Sequence, residues 1–121
     1  MANLEFHYLE PIHIQNVLVI ELFGEIDPTT IPKFKEKLDG LLEKFNHNIL
    51  IFDLNDLRYI NSEGIGLTMD LIKKARDQKR QTILAGLEGE VKEVIELIGL
   101  GQIAKTYQHL GKALEDLGIN Q

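Results

Sequence analysis

Apolar positions along the chain switch between two spacings. Leu4–Leu9 is a mixed apolar stretch of strand length, and Val17–Phe23 (VLVIELF) is β-branched and apolar, with Gly24 behind it. Pro11 and Gln15-Asn16 between them carry turn chemistry, so these two predicted strands can pair as antiparallel neighbours. Ile49–Leu54 (ILIFDL) is almost continuously apolar, the pattern of a strand covered on both faces. Thr82–Ala85 is a shorter version that ends at Gly86.

Between the strands the spacing becomes helical. Phe34, Leu38, Leu41, Leu42 and Phe45 recur on one face, while Lys33, Lys35, Glu36, Lys37, Asp39 and Glu43 take the other. A second predicted helix runs from Glu63 to about Asp77. Val91, Val94, Ile95 and Ile98 repeat the pattern after Gly89, and Leu110, Ala113, Leu114 and Leu117 do so before Gly118. The order β-β-α-β-α-β-α-α, with right-handed strand–helix–strand crossovers, implies a largely parallel sheet. The expectation is one α/β domain over residues 1–121. Its four-stranded sheet has the first two strands antiparallel and packs with about four helices.

Composition narrows the function classes. The 121 residues are the length of one domain. With no cysteine there is no disulfide, thiolate metal site or cysteine nucleophile. Lys and Arg number 13 against 19 Asp and Glu, a net charge of −6, which repels phosphate backbones and anionic leaflets. The densest basic group, Lys73, Lys74, Arg76, Lys79 and Arg80, is broken by Asp77 and reads as the solvated end of a helix. Nucleic acid is not an expected partner. Apolar runs such as Val17–Ile20 are far shorter than the roughly 18 residues of a membrane span, and the first residues lack a basic and apolar leader pattern. A cytoplasmic protein is expected.

Catalytic signatures are weak. His7, His13, His47 and His109 share no metal-ligand spacing, and neither a P-loop nor G-x-S-x-G occurs. Gly64-Ile65-Gly66 supplies two glycines of a dinucleotide fingerprint, but Met69 holds the third place. Asp27, Asp53 and Asp56 fall near strand ends, where α/β proteins place their sites. Helix capping by Asp27 and turn chemistry by Asp56 account for them equally. No enzyme, resident metal or cofactor is expected.

The stretch Ile60-Asn61-Ser62-Glu63-Gly64-Ile65-Gly66-Leu67 holds more information. It is predicted as a strand-to-helix turn. Asn61 and Ser62 are good N-cap residues, and Glu63 in the first turn complements the helix dipole. Two early glycines cost about 1 kcal/mol each relative to alanine in a helix interior, so a bare backbone serves close packing on the sheet or close approach of a partner. The apolar set of the first helix spans an arc of roughly 100°, whereas Ile65, Leu67, Met69, Leu71, Ile72 and Ala75 span roughly 200°. The surplus predicts an apolar edge at Ile65 and Met69, suited to a protein partner or to cover by the C-terminal helices.

These residues resemble a known family. Ile49–Leu71 (ILIFDLNDLRYINSEGIGLTMDL) is similar to the signature of STAS domains, specifically the free-standing anti-sigma factor antagonists of bacteria. That signature is an apolar strand with Asp-Leu, a short loop, then Ile-Asp-Ser-Ser-Gly-Leu-Gly opening a helix. Phe23-Gly24-Glu25-Ile26-Asp27 with Thr30 resembles the family's Gly-Glu-Leu-Asp segment, and Leu97–Leu117, containing Lys112-Ala113-Leu114, resembles its C-terminal pattern. The resemblance implies partner switching: binding an anti-sigma factor, often a serine kinase of histidine-kinase-like ATPase fold, until that kinase phosphorylates the second motif serine. Asn61 stands where the family has Asp, and Glu63 stands at the phospho-acceptor place. Glu63 then holds the chain in a released, phospho-like state, or binding persists and escapes phosphorylation, or Ser62 becomes a substitute acceptor. The expected partner surface is Asp27, Asn61, Ser62, Glu63, Gly64, Ile65 and Met69. The alternative is a small anionic ligand or nucleotide at the Ser62–Gly66 helix N-terminus.

Overall fold

The structure, a computed structural model, describes residues 2–119. Met1, Asn120 and Gln121, which the expected 1–121 domain boundary includes, lie outside the described residues. The elements are β1 (Leu4–Leu9), β2 (Val17–Ile26), α1 (Ile31–Lys44), β3 (Ile49–Ile60), α2 (Ser62–Asp77), β4 (Gln81–Ala85), α3 (Gly89–Ile98), a 3₁₀ turn (Leu100–Gln102), β5 (Lys105–Thr106) and α4 (Leu110–Ile119). One sheet has the order β1-β2-β3-β4-β5, with β1 antiparallel to β2 and the later pairs parallel. Among the described residues no helix is long and apolar enough to cross a membrane.

The expected four strands are corrected to five. Lys105 and Thr106 pair with Ile83 and Leu84 at the sheet edge, and both are exposed. Two exposed residues carry no hydrophobic period, so nothing in the pattern announces them.

The central strand also runs past its expected end at Leu54 to Ile60. Its register against β2 shifts twice, between Glu21 and Phe23 and again between Gly24 and Glu25. Each shift leaves an extra residue on β3, as in a bulge. The inward residues Leu54, Leu57 and Ile60 therefore recur every third position instead of every second, and all are buried. That spacing, with Asn55, Asp56 and Arg58 between, imitates a loop. β2 likewise continues through Gly24 to Ile26. Gly24 has φ +114°, and a Cβ there would lie 2.0 Å from the Asn3 carbonyl oxygen, so only glycine lets β1 pass this close.

Strand alternation sorts the core into two layers. Leu18, Ile20, Leu22, Leu50, Phe52 and Leu84 face α1, α2 and α3. Val17, Val19, Ile51, Ile83 and Ala85 face Ala113 of α4. The near-continuous apolar run of β3 follows from this double cover. On α2, Ile65, Leu71, Ile72 and Ala75 are buried, and full burial of each larger side chain contributes about 1.5–3 kcal/mol.

Candidate functional site at the start of the second helix

The site begins where β3 ends. The Asn61 N–H donates to the Ile26 carbonyl at 2.9 Å, which ties the end of β3 to the end of β2. Asn61 is extended (φ −87°, ψ 174°), and its Oδ1 accepts from the Gly64 N–H at 2.8 Å, the expected N-cap. The Ile65 N–H donates to the Asn61 carbonyl at 3.1 Å. Ser62 and Glu63 are exposed in the first turn, and Glu63 faces a helix terminus that favours negative charge.

The glycines divide in role. A Cβ on Gly64 would lie 2.6 Å from Ile26 Cγ2 and 2.9 Å from Ile60 Cγ1, so this glycine seats the helix on the sheet. On Gly66 a Cβ would meet nothing within 4 Å. Close packing therefore accounts for the first, and the open side of the second leaves the backbone accessible. Thr68 Oγ1 donates to the Gly64 carbonyl at 2.9 Å.

One expectation about the apolar edge is overturned. Ile65 is 2% exposed and belongs to the central core, so it offers no side chain to a partner. Met69 and Leu67 are only half-buried against that core. The surplus arc is real but is displaced from Ile65, because the sheet reaches farther round α2 than a helix wheel assumes. β3 extends to Ile60 and covers the first turn.

Asp27 follows Ile26 directly and so stands beside this turn. Its carboxylate accepts from Thr29 Oγ1 at 2.6 Å, the Thr29 N–H at 2.8 Å and the Thr30 N–H at 3.2 Å. The Thr29 hydroxyl holds the Asp27 carboxyl below its ordinary value, aided by those amides and opposed by desolvation. The helix-cap position is Thr30, without a side-chain cap, so Asp27 organises the turn ahead of α1 and not its N-cap. Thr30 is buried, and its hydroxyl donates to the Glu25 carbonyl at 2.8 Å. Arg58, an extra bulge residue, pairs with Glu25. The Arg58 hydrogen bond, with the Asn3 amide, lowers the Glu25 pKa. Neither Glu25–Arg58 nor exposed Tyr59 was legible before the bulges placed them beside the site.

The other carboxylates lie elsewhere. Asp53 and Asp56 sit within β3 and not at its end. Burial pushes the Asp53 carboxyl up, and its Oδ1 accepts from the Asn55 N–H at 3.1 Å. Among the described residues no three His, Asp or Glu side chains gather as a metal site.

A family profile described as STAS domain matches residues 8–113. The chain belongs to the STAS domain family. An anti-sigma-B factor antagonist of Listeria monocytogenes is 34% identical over 86 residues, covering 69% of this chain and 75% of that protein. The crystal structure of an anti-sigma factor antagonist from Mycobacterium paratuberculosis superposes with a TM-score of 0.82 at 19% identity, covering 95% and 94% of the two chains. A serine-to-glutamate variant of RsbS from Moorella thermoacetica superposes at 0.73 with 19% identity, covering 96% and 97%. The STAS fold, with its antiparallel first pair of strands and four helices among the described residues, is thus that of the chain.

Proposed function

We propose that this STAS domain is an anti-sigma factor antagonist in a partner-switching system, a binding protein and not an enzyme. Its partner is an anti-sigma factor or serine kinase of histidine-kinase-like ATPase fold, met at the start of α2. The carrying observation is the exposed pair Ser62 and Glu63, raised on a turn whose neighbours Gly64 and Ile65 are buried. Asp27, Asn61, Ser62, Glu63 and Met69 make the contact surface. Gly64 and Ile65 act beneath it by seating the helix.

Glu63 takes the place of the family's phospho-acceptor. A carboxylate carries about one negative charge on two oxygens, whereas a phosphoserine carries about −1.5 to −2 on three. Binding therefore persists against weaker repulsion and escapes serine phosphorylation. The exposed Ser62 hydroxyl favours a second reading, as substitute acceptor one residue earlier. An anionic ligand here is disfavoured, because Asn61 already occupies the Gly64 and Ile65 amides and Glu63 adds like charge.

The test is capture of partners by the tagged chain from its own cell lysate, followed by incubation with the captured kinase and ATP. The wild type is expected to retain a histidine-kinase-like ATPase and take no phosphoryl group, while Glu63→Ser takes one. Capture by Glu63→Ser alone means that the wild type is held in the released state. Labelling of the wild type that disappears in Ser62→Ala moves the acceptor to Ser62. Capture by neither variant overturns partner switching.

A further inference from the structure

The most exposed large apolar side chain among the described residues is Leu97 on α3, at 88%. Its neighbour Ile98 is 44% exposed, and Val94, one turn earlier, is only half-buried. The fold makes little use of them. Val91 and Ile95 are the residues by which α3 joins the core. The helix closes on Gly99 in the left-handed region (φ +81°), and Leu100 turns back into the core beside Ile95, the apolar contact that such a cap employs. Leu97 serves neither core nor cap, and Ile98 is left nearly half uncovered. A lone surface leucine is ordinary, but three adjoining apolar positions form a patch.

This patch stands beside the proposed partner surface. Ile95 and Leu100 line one internal void with Ile65 and Thr68 of α2, and Val94 packs on the margin of the same core as Met69. Glu96 takes the other flank of α3, where it lines a hollow with Gly101, Gln102 and Thr106 next to β5. At about 100° per residue, Val94 falls roughly 160° round the helix from Glu96, and Leu97 and Ile98 lie within about 60° of Val94. The exposed apolar residues therefore continue from the side turned to α2.

The rim of the patch is acidic. Glu63 on α2 and Glu90 and Glu93 on α3 are exposed, and among the described residues none joins an ion pair. Lys92 is the one cation of α3, and it reaches Glu96 at 3.9 Å. An apolar centre within a polar rim is the anatomy of a protein interface. Carboxylates around that centre repel a second copy of this chain and attract a basic protein surface.

We propose that α3 is the second half of the partner surface. The anti-sigma factor or kinase sets an apolar side chain against Val94, Leu97 and Ile98, beside Met69, and basic side chains against Glu90 and Glu93. The inference rests on the reading of α2 given above and adds a face that the Ser62–Glu63 turn does not contain. With Ile65 withdrawn into the core, α3 supplies the exposed apolar contact in its place.

The test is titration of the purified histidine-kinase-like ATPase against the tagged chain, as wild type or Glu63→Ser, whichever binds it. Leu97→Asp should weaken binding by more than about thirtyfold, the size of a central apolar contact. Its thermal midpoint should stay at the wild-type value, because the position is exposed. Leu97→Met, still apolar, should bind nearly as the parent does. Glu90→Lys with Glu93→Lys should slow association by about tenfold at low salt and by less at high salt. Undiminished binding by folded Leu97→Asp overturns the second contact and leaves the α2 turn standing. A wild-type dimer in sedimentation that Leu97→Asp dissolves gives the patch to a second copy, and overturns it too. An ATPase that binds neither background removes the α2 reading and this one with it.

Discussion

The two ends of α2 are built from opposite chemistry. At its N-terminus the helix is pressed onto β2 and β3 through Gly64, capped by Asn61, and shows solvent a serine and a glutamate. At its C-terminus it ends among Arg76, Lys79 and Arg80, above a groove with a covered threonine hydroxyl. Negative charge at the first end and positive at the second both complement the helix dipole. The difference lies in what holds each end. Apolar contact and one amide cap seat the first, whereas a single guanidinium reaching three carbonyls fastens the second to the last turn of α1 and the loop after it. A rigid seat beneath an exposed turn suits protein docking.

Four sets of changes test that contrast. The largest effect belongs to Ile65→Ala, which should destabilise by about 2–5 kcal/mol through lost burial and a residual cavity. Met69→Ala, at a half-buried position, should lose less than half as much in the same urea titration. Equal losses would mean that Ile65 is not the seat of the helix.

Arg80→Ala should lose about 3 kcal/mol, one to two charge-assisted hydrogen bonds to otherwise unpaired carbonyls. Arg80→Lys should recover little, because an ammonium lacks the planar fork that reaches His47, Leu42 and Phe45 together. Full recovery by lysine would reduce Arg80 to a point charge.

Within the first turn, Gly64→Ala and Gly66→Ala should act with opposite sign. The Gly64 change forces a methyl against Ile26 and Ile60 and should destabilise by about 1–3 kcal/mol. The Gly66 change meets open space and should stabilise by up to about 1 kcal/mol through helix propensity. Thermal unfolding of the pair reads both. If Gly66→Ala stabilises the fold yet weakens partner capture, its bare backbone serves the interface.

The smallest effect is electrostatic. Asp27 titrates below its ordinary value of 3.8, first because of the Thr29 hydroxyl. A lowered carboxyl contributes stability that is present above 3.8 and lost as pH falls through the folded value. Thr29→Ala should raise the Asp27 pKa toward 3.8 and remove a small part of the stability at neutral pH, a difference from wild type that fades as pH falls through the folded value. Carboxyl chemical shifts against pH would show it. An unmoved Asp27 would assign the shift to the Thr29 and Thr30 amides instead.

The alternation of strand-like and helical spacing was enough to define the layers. The β-branched run at Val17–Ile20 and the continuous run at Ile49–Phe52 cannot be satisfied by cover on one face, and α4 supplies the second cover. The Asn61 cap and the family motif were likewise legible, because capping and first-turn charge are local properties of adjacent residues. Serine and glutamate at 62 and 63 announce an exposed polar turn without reference to the remainder of the fold.

Other features depended on long-range pairing. The bulges of β3 put Leu54, Leu57 and Ile60 on one face at a spacing of three, which no periodicity rule for a strand anticipates. That extension buries Ile65 and brings Arg58 to Glu25 across a separation of 33 residues. The basic run near Arg76 reads in sequence as a solvated helix end. It becomes the wall of a groove only when β4 and β5 bring Thr82, Ile103 and Ala104 beneath it. Burial and groove formation are properties of surfaces that meet from distant parts of the chain. Local spacing therefore determined which faces are apolar, and the tertiary pairing decided which were covered.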